Sequence, residues 1–321
     1  MGEYLLLSDV HATRRPPSSC TPSYWPDLRD LLWQTVAIAR ERQVHGVIWA
    51  GDVLHHKAPG RTDHGLMQDL IKVIQAYRCP VWIVPGNHDI QHDRLDSIEA
   101  TQPLGVLYLA GAHRLEGWAD DGHPLYGVPW LQDWGAGTLK AELASYCTAN
   151  LPGALVATHA PIYPPGQEPR YDGAEFAPAS WWADALGIAG HVFYGHIHEP
   201  HGTWQHQGVT FCNNGALSRG SLDEHNLHRQ VGCTIWDDQS GAFKFVPLAA
   251  KPAAEVFRLR EHGQAVTAQG LLDGFLAAAG QVTLGVLSVD AVLTHFRELG
   301  LGREELALAE EFLMAEEGGA R

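Results

Sequence analysis

Paired cysteines are missing from this chain. Its 321 residues hold five cysteines (Cys20, Cys79, Cys147, Cys212 and Cys233), odd in number, scattered, and with no C-x-x-C pair. That excludes a disulfide framework and reads as reduced thiols. No apolar run approaches the length that spans a bilayer, so no membrane segment is expected. Met1 leads straight into Tyr4-Leu5-Leu6-Leu7 with no basic stretch or cleavage site, so no secretory leader is expected and the expected location is cytoplasmic. Leu6 stands where a myristoylation motif wants Ser or Thr. No G-x-x-x-x-G-K-[ST] loop occurs, so any ATP dependence has to come from another protein. Basic residues are scarce too, 22 Lys and Arg against 37 Asp and Glu, for a formal charge of −15. Backbone affinity for nucleic acid comes from Lys and Arg, so a DNA-coating role is disfavoured, although local patches are not.

Histidine is what the chain has in excess, with 19. Imidazole is the commonest metal ligand and the usual acid–base group near neutral pH, so its placement matters. Short apolar runs rich in β-formers recur at 4–7, 46–50, 81–84, 154–158 and 191–194, each ending in a polar cluster. Helical spacing lies between the early ones, over 26–43 through Leu28, Leu31, Leu32, Thr35, Val36 and Ala39, and over 62–77 through Leu66, Leu70, Ile71 and Ile74. Strand–helix alternation predicts an α/β core. Further strands are expected at 209–212, 231–236 and 243–246, and the proline-rich stretch 159–178 reads as a long loop. The reading divides the chain into residues 1–250, the core domain, and residues 251–321, a small, mostly helical appendage with helices near 289–299 and 304–315.

Every early strand ends in metal-type ligands. The first is followed by Asp9-Val10-His11, the second by Gly51-Asp52 with His55 and His56, and the third by Gly86-Asn87-His88-Asp89. The fourth gives His159-Ala160-Pro161 and the fifth Gly195-His196-Ile197-His198. Ligands in open α/β sheets bind beyond the carboxyl ends of strands, and alternate residues of a strand end share a side. Mixed imidazole and carboxylate suits Mn, Fe, Zn or Ni better than Mg or Ca.

In this order the motifs D-x-H, G-D, G-N-H-D, H-x-P and G-H-x-H resemble the calcineurin-like metallophosphoesterases. The resemblance implies an α/β, four-layer αββα sandwich with two divalent ions, Mn first among them. By it, Asp9, His11, Asp52 and His198 would hold one ion, and Asp52, Asn87, His159 and His196 the other, with Asp52 shared. His88 would stabilise the reacting phosphate or protonate the leaving oxygen, and Asp89 would orient His88 by a hydrogen bond. The S-D-x-H opening and the histidine three residues after Asp52 look like the SbcD-type nucleases, in a compact form. That branch implies DNA as substrate, His55 at the phosphate, and leaves room for an SbcC-like ATPase partner and a homodimer. Arg14, Arg15 and Arg219, with Lys57 and Arg61, follow motif strands and are expected to grip a nucleic-acid backbone. The alternative is a phosphodiesterase or phosphatase for a small cyclic or mononucleotide. The branch's usual Leu-Gly after D-x-H is replaced here by Ala12-Thr13, and its later Pro-Gly-Ser by residues 213–220, beginning Asn213-Asn214-Gly215.

Overall fold

In Tyr4-Leu5-Leu6-Leu7 every side chain is apolar, and alternate residues of a strand point to opposite faces. Such a strand is satisfied only if both of its faces are covered. The computed structural model shows this. It describes residues 2–91, 95, 98–119, 122–144, 153–169, 176–187 and 190–259. Leu5 and Leu7 enter one apolar cluster and Tyr4 and Leu6 another. Val47 and Trp49 divide from Ile48 and Ala50 in the same way, as do Val81 and Ile83 from Trp82 and Val84.

The strands are β1 (Glu3–Leu7), β2 (Gly46–Ala50), β3 (Val81–Val84), β4 (His113–Arg114), β5 (Gly117–Trp118) and β6 (Leu125–Val128). They continue with β7 (Leu155–His159), β8 (His191–Gly195), β9 (Gly202–His206), β10 (Val209–Asn213), β11 (Gly232–Asp237) and β12 (Phe243–Pro247). They form two six-stranded sheets, ordered β12-β11-β1-β2-β3-β4 and β5-β6-β7-β8-β10-β9. Within the first, β1 to β4 are parallel and β11 and β12 form an antiparallel extension beside β1. Within the second, β6, β7, β8 and β10 are parallel.

Helix α1 (Tyr24–Arg42) and helix α2 (His64–Tyr77) cover the outer face of the first sheet through Leu28, Leu31, Leu32, Leu66, Leu70 and Ile74. Asp63 caps α2 by accepting from the Leu66 N–H at 2.9 Å. Tyr4, Leu6, Ile48, Trp82, Leu155, Phe193 and Trp236 fill the space between the sheets. Trp182, from the helix Ala179–Leu186, packs with Val156, Val192 and Tyr194 on the far side of the second. The result is the four-layer αββα sandwich. Leu6, fully buried between the sheets, is the kind of side chain whose truncation to Ala costs about 2–5 kcal/mol.

The reading of the sequence did not include β4, β5, β6 and β9. Gly127 interrupts the short apolar run of β6, and β9 (Gly-Thr-Trp-Gln-His) has no buried residue. By contacts the chain divides into Met1–Arg258 and Leu259–Arg321. Residues 251–258 therefore go with the first unit, and the helices expected at 289–299 and 304–315 lie outside the described residues.

Candidate metal centre

Parallel strands put their carboxyl ends on one edge, and the loops that follow β1, β2, β3, β7 and β8 meet there. The loops of the first sheet are laced together by main-chain bonds. Asp9 N–H donates to the Gly51 carbonyl at 3.1 Å, His11 N–H to Asp52 at 2.8 Å and Ala12 N–H to Val53 at 2.9 Å. These bonds hold Asp9, His11 and Asp52 at φ of 52°, 44° and 51°, in the left-handed region. That backbone costs an L-residue about 1–2 kcal/mol each, so the side chains are held where the chain would not place them by itself. Two glycines let the loops close up. A Cβ on Gly51 would lie 2.2 Å from His159 Nδ1, and one on Gly86 would lie 2.3 Å from Asp52 Oδ1.

The side chains converge. His11 Nε2 lies 3.0 Å from His198 Nε2, 3.5 Å from Asp52 Oδ2 and 3.9 Å from Asp9 Oδ1. His198 Nε2 is 3.5 Å from Asp9 Oδ1, and His159 Nε2 is 3.3 Å from Asp52 Oδ2 and 3.1 Å from Asn87 Oδ1. The His196 ring lies 5.3 Å from that of His159. Asp9, Asp52 and His159 are buried, whereas the His198 side chain is 46% exposed. The arrangement opens toward solvent on the His198 side.

Burial and charge set the protonation states. Burial raises the Asp9 carboxyl, but the hydrogen bond from His198 and the charge of His159 outweigh it and hold it at about 2. Burial also works against ionised Asp52, and His159 and His11 pull it well below the usual carboxylate range. Burial drives His11 down to about 3, against Asp52. His159 feels the same burial, but Asp52 and Asp9 lift it to about 9. Two buried carboxylates among imidazoles form a site that a cation completes.

The donor set passes that test. Three overlapping triads bring ligand atoms within 4.8 Å of one another, Asp9–His11–His198, His11–Asp52–His88 and Asp9–Asp52–His159. Nε2 of His11 and His198, and Nε2 of His159 with Oδ1 of Asn87, are ligand atoms aimed at common points. Oxygen and imidazole nitrogen without thiolate suit Mn, Fe, Zn or Ni. Asp9, His11, Asp52, Asn87, His159, His196 and His198 are all brought to this edge.

Two of the expected roles are corrected. Asp89 does not bond to His88. Its buried carboxylate accepts the N–H groups of Val53, Leu54 and Gly86 at 3.2, 3.1 and 3.0 Å, clamping the β2 loop to the β3 loop. Burial and the charge of Asp52 raise it to about 7 against those three bonds. His88 is oriented instead by its Nδ1, which donates to the His55 carbonyl at 2.9 Å, and by its N–H, which donates to Asp52 Oδ1 at 2.8 Å. Arg219, expected to grip substrate, is buried, and its Nη2 donates to Asp27 Oδ2 and the Lys251 carbonyl, each at 2.7 Å. A guanidinium so engaged holds the 213–220 loop to α1 and to the 251–258 segment. Arg14 is exposed but paired with Asp69 at 2.6 Å and Asp63 at 3.5 Å. Arg15 and Lys57 lie at the surface, as does Arg61.

Other residues carry parts the sequence reading did not assign. Ser218 Oγ donates to the Asp9 carbonyl at 3.0 Å, and Tyr24 Oη to the His11 carbonyl at 3.0 Å. Asn213 Nδ2 donates to the carbonyls of Tyr194 and Ile197, bracing the β8 loop. Trp130, buried, lays its ring 4.7 Å from that of His196. The position of residues 213–220 just after a strand pointed to the first and third of these, but nothing in the sequence tied Tyr24 to the His11 loop or Trp130 to His196.

Residues 3–200 match the calcineurin-like phosphoesterase family. The chain belongs to that family. No curated protein matches it. One solved structure, 14% identical, aligns over 78% of this chain and 100% of its own with a TM-score of 0.50. The protein TT1561 of Thermus thermophilus aligns at 12% identity over 77% and 98%, with a TM-score of 0.48. A dimetal phosphatase from Danio rerio aligns at 14% identity over 77% and 99%, with a TM-score of 0.45. Family membership makes the protein a metal-dependent phosphoesterase, and the clustered ligands give its candidate dimetal site. Among the described residues no helix is long and apolar enough to cross a membrane.

Proposed function

We propose that the protein is a phosphodiesterase of the SbcD type that cuts DNA, with Mn as its ion. The observation that carries this reading is His55. Its ring lies 5.7 Å from that of His11 and 6.0 Å from that of His88, while its carbonyl holds His88. One residue of the β2 loop thus adds its own imidazole beside those of His11 and His88 and orients His88. Burial, then His56 and His88, lower His55 to about 4, so at neutral pH it offers a neutral hydrogen-bonding ring.

Asp9, His11, Asp52, Asn87, His159, His196 and His198 would hold two divalent cations, which would supply Lewis-acid polarisation of the phosphoryl group and a water of lowered pKa. The chain's own residues do the rest. His88, with Nδ1 committed to the His55 carbonyl, presents Nε2 to the phosphate. A proton on Nε2 would be placed to reach a phosphoryl oxygen or the leaving oxygen. Asp89 keeps the two loops in register, so that His55 and His88 stay aligned. On the His56 side Arg15 and Arg61 stand close enough to help hold that imidazole below its ordinary pKa, after the effect of burial. Cations so placed beside the reactive histidines support a grip on flanking phosphates.

The test is an incubation with Mn and labelled DNA, cyclic nucleotides and p-nitrophenyl esters. DNA cleavage is expected, and Arg15→Glu should weaken it far more than hydrolysis of a small chromogenic diester. The burial of Arg219 and the pairing of Arg14 favour a second reading, a small-nucleotide phosphodiesterase. Hydrolysis of a cyclic or mononucleotide with DNA left intact would establish that one instead.

A further inference from the structure

Beside the metal centre lies a cleft of about 410 Å³ that the chemistry above does not use. That volume falls in the range of small-molecule sites. His196 and His198 line one end, so a group seated in the cleft is one ester bond away from a phosphate at the metal centre. The remaining wall comes from two elements, the loop after β7, which brings Tyr163, and the segment 223–226, which brings Asp223 and Asn226.

The fixed charge of the cleft is acidic, and its basic lining is limited to the imidazoles of His196, His198 and His225. Glu199 and Asp223 line it, and among the described residues no Lys or Arg does. Asp223 is fixed in place, since its carboxylate accepts from the Asn226 N–H at 2.7 Å, the Ser221 hydroxyl at 2.6 Å and the Asn226 side-chain amide at 2.9 Å. Glu199 is paired with His225 at 3.2 Å, and both are exposed. Carboxylates held in this way attract hydroxyl and amino donors and repel a phosphate. Tyr163, set among Phe176 and His201 with ring centroids 6.1 and 5.6 Å away, gives the wall an aromatic surface. The other flank differs in sign. His11 has the His198 ring 4.9 Å away on one side and the His55 ring 5.7 Å away on another, and beyond His55 come His56 and, near it, Arg15 and Arg61.

We propose that this cleft binds the ester group on one side of the scissile phosphate, a neutral nucleoside-sized group with hydroxyl and amino donors and no further phosphate. Any phosphate-bearing continuation of the substrate leaves over the His56 flank. The inference rests on the phosphodiesterase reading and adds the sidedness of its substrate.

The experiment uses the full chain with Mn and four substrates. These are dithymidine monophosphate, the same dinucleotide with a terminal phosphate at its 5′ end or at its 3′ end, and bis-p-nitrophenyl phosphate. One of the two phosphorylated dinucleotides should be hydrolysed about tenfold more slowly in kcat/KM than the bare one, as expected for one like-charge contact at a solvent-open site. The other should match or exceed the bare dinucleotide. Asp223→Asn combined with Glu199→Gln should abolish most of the difference between the phosphorylated dinucleotides, with hydrolysis of the chromogenic diester showing that the variant is still active; an amide at position 223 can still accept the Asn226 N–H. Equal rates on all three dinucleotides, or a difference that the double variant does not touch, would overturn the cleft assignment while hydrolysis of the chromogenic diester leaves the phosphodiesterase standing. Failure to hydrolyse any diester would remove the phosphodiesterase reading, and the cleft assignment with it.

Discussion

The two sheets contribute to the metal centre in different ways. The first sheet supplies Asp9, His11, Asp52 and Asn87 from loops tied to one another through the main chain and through Asp89. Three of these residues sit in left-handed backbone. The second sheet supplies imidazoles with fewer ties. His159 stands at the end of β7 with its Nδ1 donating to the Ala50 carbonyl at 2.9 Å. The His196 N–H leans on the Asp9 carboxylate at 3.1 Å, and the His198 side chain is half exposed. Buried negative charge is therefore fixed on the braced wall, and the opposite wall brings neutral or cationic rings to it. A carboxylate misplaced by an ångström leaves an unpaired buried charge, whereas an imidazole can turn or stay neutral at less cost.

The largest effect is expected where the walls meet. Asp52 faces both His11 and His159, so Asp52→Ala should abolish activity and strip both ions rather than one. Metal analysis of the purified variant checks this, and retention of two tightly held ions would refute the shared role. Next comes His88→Gln, expected to lose about 10²–10⁴-fold in rate with metal content unchanged. Because His88 also shares a triad with His11 and Asp52, a parallel fall in metal occupancy would instead make it a ligand.

Arg219→Met tests whether that guanidinium is structural. Breaking a buried pair leaves Asp27 with only the Lys251 N–H, so stability should fall by about 3–5 kcal/mol by denaturant titration, with KM for the substrate unmoved at a temperature where the variant is folded. A raised KM with stability intact would restore the substrate role. The smallest effect belongs to the second sheet alone. Burial lowers His201 to about 4, and its Nδ1 pairs with the Tyr194 hydroxyl at 2.7 Å. A histidine whose folded pKa lies below its ordinary value of 6.5 keeps its contribution above that value and loses it as pH falls toward 4. His201→Gln should flatten that part of the acid limb of the stability curve.

Much of this was legible in the sequence, for physical reasons. Strands buried on both faces cannot avoid reading as unbroken apolar runs, and ligands at strand ends keep their spacing whatever surrounds them. Hence Asp9, His11, Asp52, Asn87, His88, His159, His196 and His198 could be placed together before any coordinates. What failed was direction. Nothing in Gly86-Asn87-His88-Asp89 says that Asp89 turns back to three N–H groups while a carbonyl 33 residues upstream takes His88. Arg219 looked like a surface cation because its partner, Asp27, lies 192 residues away. β9 was missed because a solvent-facing edge strand carries no apolar pattern to read.

The His196 N–H and the Asp9 carboxylate that holds it are 187 residues apart in the chain. Contacts of that span close late, because the entropy of the intervening loop must be spent before they return anything. The ions are therefore not expected to template early folding, since two of their seven candidate ligands, His196 and His198, arrive only when β8 has joined its sheet. Ion binding should instead act on the finished molecule by mass action, raising the melting temperature in proportion to the logarithm of free metal. A chelator should then lower the melting point without slowing the main refolding phase, which would make metal-dependent thermal shift a readout of complete assembly.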